Sequence, residues 1–273
     1  MLARLLIAFR EAFEAVLLVT IATAYLKRIG KAYLVRPLII GGLIGVLLSI
    51  VAGLILYYIY GIAEEKALVE AIGAFVAVPV LTSVIYWMAV KGKRIKQKVE
   101  LKAEEAAKKG SSISVASLGF VFVFREGIET VLFTLPLIFS DPGGTLAGVS
   151  IGTLAGLILA YLIYLGSLRM SLRKFFFVTS VLLVFIASGI LGYGIHELIE
   201  YGEEVGWDLG IWAIYVYRLP IEKYHPLHDK GIIGSILAAL FGYATKMELL
   251  RFMFQLTYLV VGLALVIYAY RKR

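Results

Sequence analysis

Of the 273 residues, 61% are apolar and 17% charged, and the mean hydropathy of +0.91 lies well outside the range of soluble globular chains, so the chain reads as a membrane protein. Cysteine is absent, which excludes disulfides, thiolate ligands and iron–sulfur clusters and leaves oxygen and imidazole as the metal donors. The formal net charge of +8 would suit nucleic acid, but the Lys and Arg residues gather between apolar windows, so they read as a topology signal with no nucleic-acid partner.

Seven windows have the roughly 20 apolar residues that a helix needs to cross a core of about 30 Å. They lie near 2–26, 37–60, 67–90, 115–139, 146–168, 175–199 and 252–270. Their continuous apolarity excludes the alternating strands of a β-barrel. The expected fold is an all-α polytopic membrane protein with seven transmembrane helices. The first window lacks a small-residue cleavage site and exceeds a signal-peptide core, so it is expected to be retained. Residues 1–90 hold three windows, and 91–114 form a basic cytoplasmic linker whose Lys/Glu/Ala content favours helix. Three further windows follow in 115–201. The external segment 202–251 contains GIIGSILAALFGY at 231–243, too short to span and read as a re-entrant or interfacial helix. The seventh window and a basic tail occupy 252–273. Most Lys and Arg then share one side, which puts the amino terminus outside and the carboxyl terminus in the cytoplasm of a cell-membrane protein.

Windows one and four each carry a charged motif, REAFE at 10–14 and REGIE at 125–129. Each opens a block of three windows, and because three is odd the blocks face opposite ways, as in an inverted-topology repeat. The second windows match as well: Gly41, Gly45, Ser49 and Gly53 in one, Gly144, Gly148, Gly152, Gly156 and Ala160 in the other. Such small-residue faces suit close helix contact, although ordinary glycine-rich packing would use them too.

At 100° per residue, Arg10, Glu11 and Glu14 fall on one helix face, as do Arg125, Glu126 and Glu129. Both triplets lie roughly 12–18 Å from their helix starts and approach the midplane from opposite directions. Six such groups left unpaired would cost on the order of 15 kcal/mol, so they must face inward and compensate one another. Two arginines against four glutamates leave two negative charges, which a cation or protons would neutralise. Oxygen donors without sulfur favour hard cations. The alternative is a pair of intrahelical bridges that set register, but each bridge needs one glutamate and each motif has two.

Paired Arg-Glu-x-x-Glu motifs in windows one and four resemble the high-affinity iron permeases, the oxidase-dependent iron transporters, whose usual form is Arg-Glu-Gly-Leu-Glu. REGIE is nearly that form, and REAFE departs at its two middle positions while keeping every charge. SGILGYGIHELIE at 188–200 and HDKGIIGSILAALFGY at 228–243 are similar to the sixth helix and the following segment of bacterial members, so the resemblance covers nearly the whole chain. It implies a non-enzymatic permease in the lipid bilayer, with Glu11, Glu14, Glu126 and Glu129 as metal ligands and Arg10 and Arg125 as charge-compensating residues. Iron is the implied transported substrate, Fe3+ ahead of Fe2+, delivered by an extracytoplasmic ferrous oxidase or iron-delivery protein. No organic cofactor is expected, and a homo-oligomer is compatible with the pattern. The alternatives are a carrier of another hard divalent cation such as manganese, a proton-coupled carrier, and a non-transporting scaffold or intramembrane enzyme.

His196, Glu197 and Glu200 stand at i,i+1,i+4 near the outer end of window six, where they form a candidate admission site or merely hydrate a helix end. Glu203, Glu204 and Asp208 continue an acidic lip. His225, His228 and Asp229 make an external run with weaker metal-binding character. Glu64, Glu65 and Glu70 read as surface charge, and Tyr57, Tyr58 and Tyr60 as an interfacial aromatic belt.

Overall fold

The computed structural model describes residues 2–62, 65–91, 95–164, 172–222, 225–228 and 231–271. Among the described residues, seven long helices fall on the seven apolar windows: α1 (Leu2–Arg28), α2 (Val35–Gly61), α3 (Lys66–Lys91), α5 (Ser112–Ser140), α6 (Pro142–Tyr164), α7 (Leu172–Glu204) and α9 (Leu249–Arg271). Two shorter ones join them, α4 (Ile95–Lys108) in the linker and α8 (Ile232–Phe241) before the last window. Among the described residues, α2, α3, α6, α7 and α9 contain stretches long and apolar enough to cross a membrane. The helices α1 and α5 have the length too, but every 18-residue window in them includes at least three charged residues. The chain is an all-α membrane protein with one small addition, an antiparallel ribbon of β1 (Tyr215–Arg218) and β2 (Lys246–Glu248).

Local chemistry explains where several helices begin and end. Ser111 caps α5, its hydroxyl accepting from the Ile113 N–H at 3.2 Å. Asp141 does the same for α6, accepting from the Gly144 N–H at 2.9 Å, and Pro142 fills the first helical position, where its missing N–H is not needed. Gly242 ends α8 at φ +64°, the left-handed conformation that glycine adopts without a Cβ penalty. Lys31, between α1 and α2, donates to the Ala107 carbonyl at 2.7 Å and so caps the far end of the linker helix α4. That helix buries Val99, Ala103, Ala106 and Ala107 against α1 and α5.

The principal packing partners are α2 with α5, α1 with α6, and α3 with α7, while α1 also lies against α5. Apolar lipid offers helices no hydrophobic reason to associate, so close backbone approach has to supply the packing. The small-residue faces serve this purpose. A Cβ at Gly45 would stand 2.9 Å from the Phe124 nitrogen, and one at Gly152 would run into the Leu5 carbonyl. Ser49 adds a hydroxyl that donates to Gly45 O at 2.8 Å and reaches Phe124 O at 3.4 Å.

The helix α8 is held at its carboxyl end by α7 and α9. Phe241 packs edge-on against Phe185, Gly242 meets Gly189, and Gln255 Nε2 donates to Phe241 O at 2.7 Å. The ribbon then returns the chain to α9 and sets Glu248 at the start of that helix.

Candidate metal centre

The motif on α1 is sealed inside the protein, with Arg10 only 2% exposed and Glu11 and Glu14 both buried. The Arg10 guanidinium spends its donors on both acids and on α3: Nη1 donates to Glu11 Oε1, and Nη2 donates to Glu14 Oε1 at 2.9 Å and Met88 Sδ at 2.9 Å. On α5 the geometry is looser. Arg125 Nε donates to Glu129 Oε1 at 2.8 Å and stands 3.9 Å from Glu126 Oε1, while its side chain stays 46% exposed and stacks 5.2 Å over the Trp87 ring. Adjacent residues of α3 therefore touch the two arginines, Met88 one and Trp87 the other.

Where α1 and α5 meet, one carboxylate oxygen from each of Glu11, Glu126 and Glu129 lies within 4.8 Å of the other two. The Oε2 atoms of all three are buried without a hydrogen-bond partner. Buried, unpaired anionic oxygens are strongly unfavourable unless something positive meets them. A hard cation with oxygen bonds of about 2.0–2.6 Å spans oxygens about 4–5 Å apart, which is the scale of this triad. Three of the four expected ligands thus converge. Glu14 is not among them; its Oε1 accepts from Arg10 Nη2 at 2.9 Å.

A second group forms near the carboxyl end of α7. Donor atoms of His196, Glu197 and Glu200 lie within 4.8 Å of one another. His196 Nδ1 is 2.9 Å from Glu248 Oε1, and its Nε2 is 3.9 Å from Glu200 Oε2. Burial alone would raise the Glu248 carboxyl, but the His196 hydrogen bond, a backbone N–H and the nearby Arg251 charge hold it below the usual glutamate range. Next to this group sits Glu70, which the sequence reading placed on the surface. That expectation is corrected: Glu70 is buried, accepting from Tyr60 Oη at 2.7 Å and from Tyr193 Oη, so it ties α2, α3 and α7 together. Tyr60 is accordingly more than an interfacial ring. From Glu70 to Met88 is eighteen residues of α3, roughly 27 Å at 1.5 Å per residue, so the two groups lie far apart.

Glu70, Tyr60, Tyr193, Glu248, Trp87 and Met88 were missed as site residues. Tyr193 alone left a signal, standing three residues before His196 on the same helical face. Among the described residues, His225 and His228 join no cluster of three potential ligands; His225 Nδ1 instead accepts from the Leu227 N–H at 3.1 Å. Asp229 and Glu64 lie outside the described residues.

The family described as iron permease FTR1 matches residues 1–268. The chain belongs to this iron permease family. Among curated relatives of this permease, an uncharacterised protein of Archaeoglobus fulgidus is 43% identical over 274 residues, covering 100% of this chain and 96% of that protein. A protein of Yersinia pestis named ferrous iron permease EfeU is 31% identical over 246 residues, covering 87% of this chain and 83% of its own length. A protein of the same name from Escherichia coli O6:K15:H31 is 29% identical over 243 residues, covering 87% and 85%. No solved structure matches the chain. Family and apolar helices together make it a multi-pass membrane protein of iron transport.

Proposed function

We propose that this permease imports iron across the cytoplasmic membrane and binds it between α1 and α5. The observation that carries the reading is the convergence of Glu11, Glu126 and Glu129, each with a buried oxygen that lacks a partner. Intramembrane ionisable groups of this kind mark transport pathways. Glu14 is the fourth ligand, reached when Arg10 gives up one of its bonds, and Arg10 and Arg125 limit the repulsion among the acids.

In this reading α1, α2, α3, α5, α6, α7 and α9 are the seven spans, with the amino terminus outside and the carboxyl terminus in the cytoplasm. The first three and the next three form inverted repeats joined by the 91–114 linker. The partner exchange supports this: α1 lies along α6 and α5 along α2, while α3 lies along α7. Iron reaches the outer end of α7, where His196, Glu197 and Glu200 admit it. Rocking of one repeat against the other would then expose the triad to each side in turn.

The resemblance implies ferric iron from a partner oxidase, whereas the Yersinia and Escherichia relatives are named ferrous iron permeases. The oxygen-only triad is the harder donor set, and we assign it the ferric ion. Uptake of radiolabelled iron into vesicles, offered as ferric citrate or under ascorbate, tests both statements. Uptake should be saturable, faster from the ferric form, and abolished by Glu11→Gln with Glu129→Gln. If excess manganese abolishes iron uptake while iron leaves manganese uptake intact, the substrate is manganese.

A further inference from the structure

The outer group contains an imidazole ligand, His196, and that ring is oriented from outside its own helix. Glu248, carried by β2, is 2% exposed and places Oε1 2.9 Å from His196 Nδ1, while its Oε2 is buried with no partner. An ionised carboxylate at Nδ1 fixes the ring proton there and leaves the Nε2 lone pair free. Nε2 is the ring nitrogen near Glu200, and the donor atoms of His196, Glu197 and Glu200 already lie within 4.8 Å of one another. Glu70 is not a competing ligand, because both its oxygens are taken by Tyr60 and Tyr193. Nor does Arg251 on α9 close the group, since its Nη2 is directed to the Gly242 carbonyl at 3.4 Å.

We propose that His196, Glu197 and Glu200 form a second metal site of mixed nitrogen and oxygen donors, that Glu248 is the positioning residue which presents His196 Nε2, and that this nitrogen selects transition ions against Mg2+ and Ca2+. The chemistry of the two donor sets divides the work. Carboxylates alone accept any hard cation, including the Mg2+ and Ca2+ that abound outside cells, and the inner triad has no other donor. Imidazole suits iron, zinc, copper and nickel and is a poor ligand for Mg2+ and Ca2+. Selection therefore takes place at the outer mouth, before an ion arrives at the oxygen-only triad, where charge alone decides. The selection step rests on the import reading only for its direction; the site itself does not.

The test uses full-length protein in detergent with Glu11, Glu126 and Glu129 all changed to Gln, so that the inner triad is silent. Co2+ serves as the probe, read by titration and by its visible absorption. One Co2+ should bind per chain and resist a large excess of Mg2+ or Ca2+. His196→Gln should weaken Co2+ by at least about 10-fold and make binding sensitive to Mg2+. Glu248→Ala should weaken it about 10- to 100-fold, the usual effect of losing an outer-shell partner, with partial recovery in Glu248→Gln, whose amide oxygen still accepts from Nδ1–H. With Cu2+ as a paramagnetic probe, the nitrogen hyperfine pattern should vanish in His196→Gln. Absence of Co2+ binding in the triple variant, or affinity untouched by His196→Gln, overturns the site. Unchanged affinity in Glu248→Ala overturns its positioning role, and Mg2+ displacing Co2+ from the unaltered outer site overturns the selectivity. Iron uptake by the wild type, measured in parallel, fails separately if the import reading is wrong.

Discussion

Glu126→Gln should raise the stability of the metal-free protein while it removes transport. Glu126 is buried, its Oε2 has no partner, and its nearest cation, Arg125 Nε, is 3.9 Å away on a side chain that is 46% exposed. Its carboxylate lies within 4.8 Å of those of Glu11 and Glu129. With all three acids ionised, two unit charges at that distance repel by about 3.5 kcal/mol at an effective dielectric of about 20, and the two arginines offset only part of this. The amide keeps the shape and removes the charge, so a gain of about 1–2 kcal/mol in the ion-free state is expected. At about 2–4 °C per kcal/mol, the melting temperature in detergent should rise by several degrees. Iron uptake should fall more than about 10-fold, because one of three convergent anionic donors is gone. Thermal unfolding in chelator and vesicle uptake, each normalised to protein level, read the two effects. A purely structural Glu126 predicts a lower melting temperature with uptake retained, and that pair of results would refute the reasoning.

The two arginines should differ in spite of their matched motifs. Arg10→Met leaves Glu11 and Glu14 buried without their cation, at a loss of about 3–5 kcal/mol, whereas Arg125→Met should lose less, because that side chain is 46% exposed in the chain and hydrogen-bonds Glu129 alone; chemical unfolding in detergent compares them. Gly152→Val should prevent assembly of α1 against α6, since its Cβ would strike the Leu5 carbonyl, and the expected readout is loss of folded protein in membranes rather than slower uptake by a folded carrier. Asp141→Ala removes the cap of α6 and should lower stability by about 1 kcal/mol. The Gly144 N–H, acting against partial burial and helped by Arg4, holds the Asp141 carboxyl below its ordinary range. Its stabilising effect is therefore present above the unfolded pKa of about 3.9 and lost as pH falls through the lower folded value. The stability gap between wild type and Asp141→Asn should be constant from neutral pH down to about 4.5 and close below that; a gap that widens on acidification would contradict the assignment.

How far the sequence could be read follows from what each residue contrasts with. Charges inside apolar windows stand out, so Arg10, Glu11, Glu14, Arg125, Glu126 and Glu129 were visible at once, as were the small-residue faces of α2 and α6. Helix positions were legible for the same reason. The bounds of α7 were not, because HELIEYGEE after the apolar stretch consists largely of residues that tolerate helix and carry it on to Glu204. Trp87 and Met88 gave no signal, being apolar residues in an apolar window, although each touches one of the arginines. Glu70 misled because its partners Tyr60 and Tyr193 are 10 and 123 residues away, and only assembly of α2, α3 and α7 shows that the charge is buried. Glu248 depends on a ribbon whose strands are four and three residues long, too short to give a period.

The choice of three convergent glutamates out of four was also beyond the sequence, for a reason internal to the motif. On a helix, Arg at position i reaches Glu at i+4 as a matter of spacing, and both motifs use that pair: Arg10 with Glu14 and Arg125 with Glu129. What differs is the remainder of each guanidinium. Arg10 is enclosed, so its Nη1 must also find an acceptor and takes Glu11, while Arg125 is partly exposed, stacks on Trp87 and leaves Glu126 almost unclaimed. Burial of the arginine, set by α3 and not by the motif, thus decides how many acids it holds: two for Arg10, one for Arg125. Two copies of one five-residue pattern yield unequal halves of a site, and the half on α5, with its looser arginine, is the one that supplies two of the three convergent acids.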